Sequence, residues 1–464
     1  MALALPLAAG LALRVWMLRH ILEVNGDALV YGDLAKNLLL RGRYAFSLPA
    51  GGLHPTLIRL PGYPLFVALC FRLFGMENYY AVACVQIAFD LLGCLLLAAF
   101  VRCVAPPALK GGAAIATLWL AALCPFTASY AITPLSEGPT LFALALAMWA
   151  MARFREEPGW AFALWFTAAA AWAALLRPDG TLAAIAFAPA LVIGLRFGNG
   201  PGRIPLRKLV RMAVVSVLLA LAPFAVWAAR NWRVFQVFEP LAPRLAIDPG
   251  ESPNPGWEHW VKSWCLDFSS TFDIYWNVPG DKLDLSKLPS RTFDTPEQYA
   301  ETVALVADYN SYGDITPALD ARFEHLAEER IAAHPMRYYL WLPLGRVANM
   351  WLRPRVENLD VDLDWWVSEH HPAQTRFAWG YAALNALYLL LGITGLCLRP
   401  RFWWALLAYL LLRSALLLSI SAPETRYTLE CFPMLFAASG IALWGAVSRS
   451  YLAVSKLKAV FGSS

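Results

Sequence analysis

Charged residues are scarce in this chain of 464 residues: Asp, Glu, Lys and Arg make up 15% of it, whereas a soluble domain carries roughly 25%. Hydrophobic residues make up 59%, and the mean hydropathy is +0.50. This composition excludes an ordinary soluble enzyme and is typical of an integral membrane protein. The 20 tryptophans and 17 tyrosines fit aromatic belts at the two water interfaces, because each ring is apolar and carries one group that needs a polar partner.

The sequence also lacks the motifs of soluble catalysis and of metal sites. It has no P-loop, no Gly-rich dinucleotide turn, no H-E-x-x-H and no G-x-S-x-G. The eight cysteines show no C-x-x-C spacing, and all except Cys265 fall in or beside apolar segments, so no disulfide framework is expected. The pair His370 and His371 beside Glu369 is a weak metal pattern that a solvated loop explains better. We therefore expect no metal, no cofactor and no nucleic-acid partner.

The apolar runs predict the membrane topology. Runs close to the ~20 residues that cross a bilayer indicate about ten transmembrane helices. They lie at 2–19, 79–101, 112–132, 135–153, 160–176, 180–197, 209–229, 377–397, 402–420 and 430–448. The first run has no basic n-region and no A-x-A site after it, so it is predicted to be a retained span rather than a signal peptide.

Basic residues mark one set of connectors between these runs. They are Arg102, Lys110, Arg153, Arg155, Arg196, Arg203, Arg207, Lys208, Arg211, Arg399, Arg401, Arg449, Lys456 and Lys458. By the positive-inside rule this set faces the cytoplasm of an inner membrane, and the alternate connectors face the periplasm or cell exterior. The segment 231–375 carries 22 of the 33 acidic residues but only 12 of the 38 Lys and Arg residues, as expected for a water-exposed domain on the outer side.

These patterns divide the chain into three parts. They are an N-terminal transmembrane module at 1–230 with a first outer loop at 20–78, an outer soluble domain at 231–375, and C-terminal transmembrane helices at 376–464. Within the outer domain, 334–355 is apolar and aromatic but contains Arg337, Arg346 and Arg353. This combination favours an amphipathic helix lying in the membrane interface over a further span.

Polar residues crowd the outer edges of the apolar segments. They are Asp27, Asp33, Arg59, Glu137, Arg177, Asp179, Glu424, Arg426 and Tyr427. Topology alone explains basic connectors on the inner side, but it does not explain a mixture of carboxylates and arginines on the outer side. A carboxylate can act as a general base, and the arginine fork matches phosphate oxygens, so this set predicts an active site. Asp90 and Arg413, which lie within spans, receive no role.

Several of these residues also have a structural interpretation. Asp27 and Asp33 could cap or support a helix predicted at 29–40 by accepting hydrogen bonds from free backbone N–H groups. Arg59 could extend toward lipid headgroups, and Glu137 could favour the positive end of its helix. The sequence leaves these alternatives open.

Short motifs along the chain resemble those of a known superfamily. Asp27 with Tyr31, followed by LAKNLLLRG, RLPGYPLFVAL and LFG, is similar to the first outer loop of the GT-C membrane glycosyltransferases. The loop most resembles that of family 39, which includes protein O-mannosyltransferases and lipid A aminoarabinose transferases. SEGPTLFALAL, LLRPDGTLA, AAHPMRYYLWL and ETRYTLECFPMLFAASG resemble later landmarks, so the resemblance spans nearly the whole chain.

The resemblance implies an all-α polytopic membrane protein with the GT-C fold. It implies transfer of a sugar from a polyprenyl-phosphate carrier to a lipid, protein or glycan on the outer side, with inversion at the anomeric carbon. Asp27 would be the catalytic base, and Arg426, with Arg59 and Arg177, would bind the carrier phosphate. The other implied substrate-binding residues are Tyr31, Asp33, Tyr63, Glu137, Glu424 and Tyr427. Protein O-mannosyltransferases have adjacent Asp and Glu in this loop, whereas Ala28 follows Asp27 here, which argues against protein mannosylation.

Two other classes of function remain open. A polyprenyl-phosphate-dependent glycan ligase or phosphotransferase would use a similar carrier. A lipid-linked sugar flippase or transporter would also place charges within the membrane, but broken mid-membrane helices or a two-half repeat are expected for it, and the sequence shows neither.

Overall fold

The computed structural model of the chain describes residues 2–197, 205–243, 247–367 and 369–461 and, within these ranges, all side chains except those of 194–197, 449 and 451–461. Some residues of the predicted cytoplasmic connectors lie outside the described residues or side chains. They are Arg196, Arg203, Arg449, Lys456 and Lys458.

Helices dominate the described chain. The N-terminal elements are α1 (Ala4–His20), α2 (Asp27–Arg41), β1 (Ala45–Ser47), β2 (Leu53–Pro55), α3 (Gly62–Phe74), α4 (Tyr79–Val104), α5 (Lys110–Ala122), α6 (Pro125–Ile132), α7 (Glu137–Glu156), α8 (Trp160–Leu176), α9 (Thr181–Phe197) and α10 (Leu206–Phe235). The later elements are α11 (Pro255–Lys262), α12 (Phe268–Ser270), α13 (Pro296–Tyr312), α14 (Pro317–Ala333), α15 (Leu342–Leu352), α16 (Pro372–Cys397), α17 (Trp403–Leu417) and α18 (Phe432–Phe461). Short 3-10 and π-helical turns connect several of them.

Every predicted apolar run coincides with one or two of these helices. Among the described residues, four helical segments are long and apolar enough to cross a membrane: Tyr79–Val104, Leu206–Phe235, Pro372–Cys397 and Thr425–Ser448. The last of these joins a 3-10 turn at Thr425–Cys431 to the first part of α18. The pair α5 and α6, bent by 54°, makes a fifth if it is counted as one span. Other predicted spans lie on shorter helices such as α8, whose 17 residues extend about 26 Å, slightly less than the ~30 Å hydrocarbon core.

The chain divides into two compact units. The first comprises Met1–Pro249, Ala386–Leu412 and Leu429–Ser464, and the second comprises Gly250–Asn385 and Arg413–Thr428. The second unit overlaps the predicted outer domain at 231–375, but it begins later and also takes in the end of α17 and the turn before α18.

In the first unit, α2 and a two-stranded hairpin belong to the predicted outer loop at 20–78, and α2 carries Asp27, Tyr31 and Asp33 of the predicted site. Glycines bound α2 at both ends, with φ of 46° at Gly26 and 63° at Gly42, values that side chains rarely adopt. The strands β1 and β2 are antiparallel with Phe46 opposite His54. Arg230 of α10 holds the hairpin by donating to the carbonyl oxygens of Tyr44 (2.6 Å) and Thr56 (2.7 Å).

Asp90, which has no role predicted from the sequence, is a structural residue of this unit. Its Oδ2 accepts a hydrogen bond of 2.6 Å from Nε of the fully buried Arg14. Arg14 also donates to the carbonyl of Ala122 (2.6 Å), at the break between α5 and α6, where a helix end leaves carbonyls without intrahelical donors. The pair therefore joins three helices, and removal of either charge would leave the other buried and unpaired, at a cost of about 3–5 kcal/mol.

The second unit has its own aromatic core. Trp257, Trp260 and Phe323 are buried and pack with ring centroids 5.1–5.3 Å apart. The helices α13 and α14 begin in the same way, with a threonine side chain accepting a backbone N–H and a proline at the first helical turn.

The segment predicted as an amphipathic helix at 334–355 is helical within this unit. A π-helical turn at Arg337–Trp341 leads into α15. Arg346 is fully buried and donates to the carbonyl oxygens of Lys262 (3.1 Å) and Cys265 (3.0 Å). Large apolar side chains of the same segment are exposed, including Tyr339 and Trp341, which are 70% and 62% exposed.

Candidate active site

Asp27 and Arg59 form an ion pair in the first outer loop. Arg59 Nη2 donates to Asp27 Oδ1 at 2.8 Å, and the two side chains are 29% and 27% exposed. Asp27 is the first residue of α2, but the cap position belongs to Gly26, and no side chain caps this helix. Asp27 is therefore not the cap residue of α2, and its carboxylate pairs with Arg59, 32 residues away.

Asp33 has a different position from Asp27. It lies two turns further along α2, and its two carboxylate oxygens accept hydrogen bonds of 2.7 Å from the backbone N–H and the hydroxyl of Ser47 in β1. This carboxylate therefore connects α2 to the hairpin. The structure does not place it in the pair with Arg59, in keeping with the rotation of about 100° per residue along a helix.

A second charged group forms around Arg177, at the end of α8. Its guanidinium contacts Glu137 Oε1 at 2.7 Å, Glu430 Oε1 at 2.9 Å and Asp179 Oδ1 at 3.4 Å. Glu137 begins α7, and both glutamates are almost fully buried, with 2% and 1% exposure. One cation thus contacts three carboxylates. Arg177 is paired with carboxylates in this structure, and these contacts would have to be replaced for it to bind a phosphate.

Glu430, which was not among the residues predicted from the sequence, belongs to this charged group. It lies in the motif ETRYTLECF, and its Oε2 accepts a hydrogen bond of 3.2 Å from the hydroxyl of Tyr409 in α17. The feature of the sequence that could have identified Glu430 is its position at the start of an apolar run, where an ionisable residue is costly unless it has a partner or a function.

Tyr31 is influenced by both charged groups. Burial raises the pKa of its phenol, and four charged groups act on it in opposite directions: Arg59 and Arg177 lower the pKa, while Asp27 and Glu137 raise it. These four side chains are therefore all near enough to Tyr31 to act on its phenol electrostatically.

Tyr63 supports this arrangement from α3. Its ring packs edge-on against Tyr31, with centroids 4.7 Å apart, and its hydroxyl donates to Gln86 Oε1 at 2.7 Å. The fully buried Gln86 in turn donates to the carbonyl of Thr133 at 2.7 Å, in the turn that precedes Glu137. Gln86 was not predicted from the sequence, because a lone glutamine in an apolar helix carries no recognisable pattern.

Glu424, Arg426 and Tyr427 lie together in the second unit. Glu424 is almost buried, and its two oxygens contact Arg426 Nε and the hydroxyl of Tyr427, both at 2.5 Å. Two arginines that the sequence did not assign to the site hold this turn in place. Arg413 donates to the carbonyl of Tyr427 at 2.8 Å, and Arg355 donates to the carbonyl of Thr425 at 2.8 Å.

One cluster in the second unit has the residue types of a cation site. Asp362, Asp364 and His371 have ligand atoms within 4.8 Å of one another. His371 lies 3.1 Å from Asp362 through Nδ1 and 3.4 Å from Asp364 through Nε2. The weak metal pattern in the sequence combined His370 and His371 with the adjacent Glu369, whereas in the structure the carboxylates beside His371 are those of Asp362 and Asp364.

Comparisons with known proteins show the fold. No protein-family model matches the chain, and no curated protein matches it. An oligosaccharyltransferase from Archaeoglobus fulgidus, solved with a tethered acceptor peptide, is similar over 97% of this chain with 13% identity and a TM-score of 0.51. The chain spans 50% of the length of that protein. This likeness confirms the predicted GT-C fold and the all-α, multi-pass membrane class.

Two structures of ArnT from Cupriavidus metallidurans also match, each with 13% identity over 95% of this chain and 76% of theirs. The structure bound to undecaprenyl phosphate has a TM-score of 0.40, and the apo structure has one of 0.39.

Proposed function

We propose that this protein is a membrane glycosyltransferase that moves a sugar from a polyprenyl-phosphate carrier to a hydroxyl of a lipid, protein or glycan. The reaction takes place on the outer, periplasmic side of the inner membrane. The single observation that carries this proposal is the clustering of the pairs Asp27–Arg59 and Glu137–Arg177 around Tyr31, in a chain with the GT-C fold.

Asp27 acts as the general base in this proposal. Its carboxylate takes the proton of the acceptor hydroxyl while the acceptor oxygen forms a bond to the anomeric carbon. The bond between that carbon and the carrier phosphate breaks, and the phosphate leaves with the electron pair. Attack opposite the leaving group inverts the anomeric carbon. Arg59 holds the Asp27 carboxylate in place through the 2.8 Å contact.

The leaving phosphate needs cations already in position, because preorganised charge is often the largest catalytic contribution. Arg426 is assigned this role from the sequence resemblance, with Arg59 as a second candidate. The contact between Arg426 and Glu424 supports the assignment in one respect, since it keeps the guanidinium oriented by a nearly buried carboxylate. The substrate-binding roles of Glu424 and Tyr427 are proposed on the same basis.

Reconstituted protein tests the proposal directly. Proteoliposomes would be given radiolabelled undecaprenyl-phosphate monosaccharides, one sugar at a time, with a membrane glycolipid extract as acceptor. Movement of the label from the carrier to the acceptor fraction is the expected result. Passage of the label across the vesicle membrane while still on its carrier would instead indicate a flippase, and transfer of the sugar together with its phosphate would indicate a phosphotransferase.

A further inference from the structure

One cavity within the second unit lies apart from the residues assigned above. Its volume is about 790 Å³, within the range of roughly 300–1,000 Å³ that is usual for small-molecule sites. Helices α11, α14 and α15 and the end of α17 contribute its lining. Its lining has a polar wall and an apolar wall.

The polar wall presents charges of both signs in two rows. His259 and Lys262 are three residues apart on α11, and Glu324 and Glu328 are four residues apart on α14, so each pair occupies one face of its helix. The rows meet where His259 Nδ1 lies 2.8 Å from Glu324 Oε1. This wall therefore contains groups that can pair with a cation and groups that can pair with an anion.

The apolar wall comes from the segment predicted to lie in the membrane interface and from the end of a predicted span. Leu340 lies in the π-helical turn before α15 and Leu344 in the first turn of α15, whereas Ala415 lies in the last turn of α17 and Leu418 directly follows that helix. Leu344 is 44% exposed, and large apolar side chains exposed in this way on a membrane protein are a common mark of lipid contact.

We propose that this cavity binds a zwitterionic membrane phospholipid, one whose head carries an ammonium and a phosphate, as an ethanolamine phospholipid does. The ammonium lies beside Glu324 and Glu328, and the phosphate lies beside Lys262. The acyl chains follow Leu340, Leu344 and Leu418 into the bilayer. An anionic head would face two carboxylates without a cation of its own, which opposes its binding.

Lipid selectivity provides the test, because a fold defect alone would not reverse it. Purified protein would be placed in nanodiscs of equal ethanolamine and glycerol phospholipid, and retained lipids would be counted by native mass spectrometry. The parent is expected to enrich the ethanolamine lipid about fivefold over the glycerol lipid, the size expected for partly exposed charge contacts.

Glu324→Gln combined with Glu328→Gln leaves the wall cationic and should shift the preference to the glycerol lipid. Lys262→Gln should reduce retention of the ethanolamine lipid without that shift. Glu329→Gln is the matched control, because this exposed residue follows Glu328 on the same helix but does not line the cavity. Equal ethanolamine enrichment in the parent and the double variant, or no enrichment in the parent, would overturn the proposal.

Discussion

Replacement of Asp27 by Asn is the change that best separates catalysis from structure at the candidate site. Asparagine has nearly the same shape and keeps an oxygen that can accept the hydrogen bond from Arg59, now 2.8 Å from Asp27. The start of α2 should be unaffected, because Gly26 and not Asp27 occupies the cap position. What the variant loses is the negative charge and the capacity to take up a proton.

The two effects of this change differ in size. Since both partners of the ion pair are more than a quarter exposed, the free energy of unfolding should fall by no more than about 1 kcal/mol. A positioned base contributes at least ~100-fold to rate, which is about 2.7 kcal/mol of the activation barrier. The expected variant is thus folded, binds the polyprenyl-phosphate sugar and transfers it at least ~100-fold more slowly.

The assay compares initial rates of sugar transfer at equal amounts of folded protein, with donor binding measured separately. Glu77→Gln is the control, since it replaces an exposed carboxylate of the same outer loop that pairs with Lys36 and has no proposed role in the site. Because this pair is exposed, the change should lower the free energy of unfolding by no more than about 1 kcal/mol, and the rate per folded molecule should stay near the parental value. A parental rate for Asp27→Asn, together with loss of transfer in Asp33→Asn or Glu137→Gln, would show that the base has been assigned to the wrong carboxylate.

Three further predictions address phosphate binding, topology and pH. Arg426→Lys keeps the charge but loses the planar fork, so donor binding should weaken, and it should weaken more in Arg426→Ala; unchanged donor affinity in the alanine variant would remove this residue from the site. The topology is tested in a cysteine-free background by single cysteines at the exposed positions Ser252, Ser290 and Ser311 of the second unit. These cysteines should react with a membrane-impermeant thiol reagent in intact cells, whereas a cysteine at Asn199, outside the described residues, should stay unlabelled. The reverse labelling pattern would show that the predicted topology is inverted. Hydrogen bonds from Arg337 lower the pKa of Asp294 below 3.8, so this pair stabilises the fold above that pH and the contribution is lost as pH falls through the lower folded value. Asp294→Asn should therefore lower the melting temperature at pH 7 and flatten its decline in acid, and an unchanged acid profile would contradict this role.

The sequence by itself determined the membrane class and most of the helices. Apolar runs predict helices reliably here because a bilayer offers backbone N–H and C=O groups no partner outside a helix. The sequence also predicted the candidate site residues at the outer edges of the apolar runs, because ionisable side chains in these positions are costly unless they have a partner or a function. Asp27, Arg59, Glu137 and Arg177 were all identifiable in this way.

The partners of these residues were decided by the tertiary structure. Local periodicity gives the direction of a side chain on its own helix, but an ion pair needs two segments to pack in one register, as Asp90 does with Arg14 from 76 residues away. Glu430 joins Arg177 for the same reason, since α8 and the segment before α18 are far apart in the chain. Asp27 and Asp33 look alike in sequence, yet the rotation of α2 gives one to Arg59 and the other to Ser47, because a helix turns successive side chains to different neighbours.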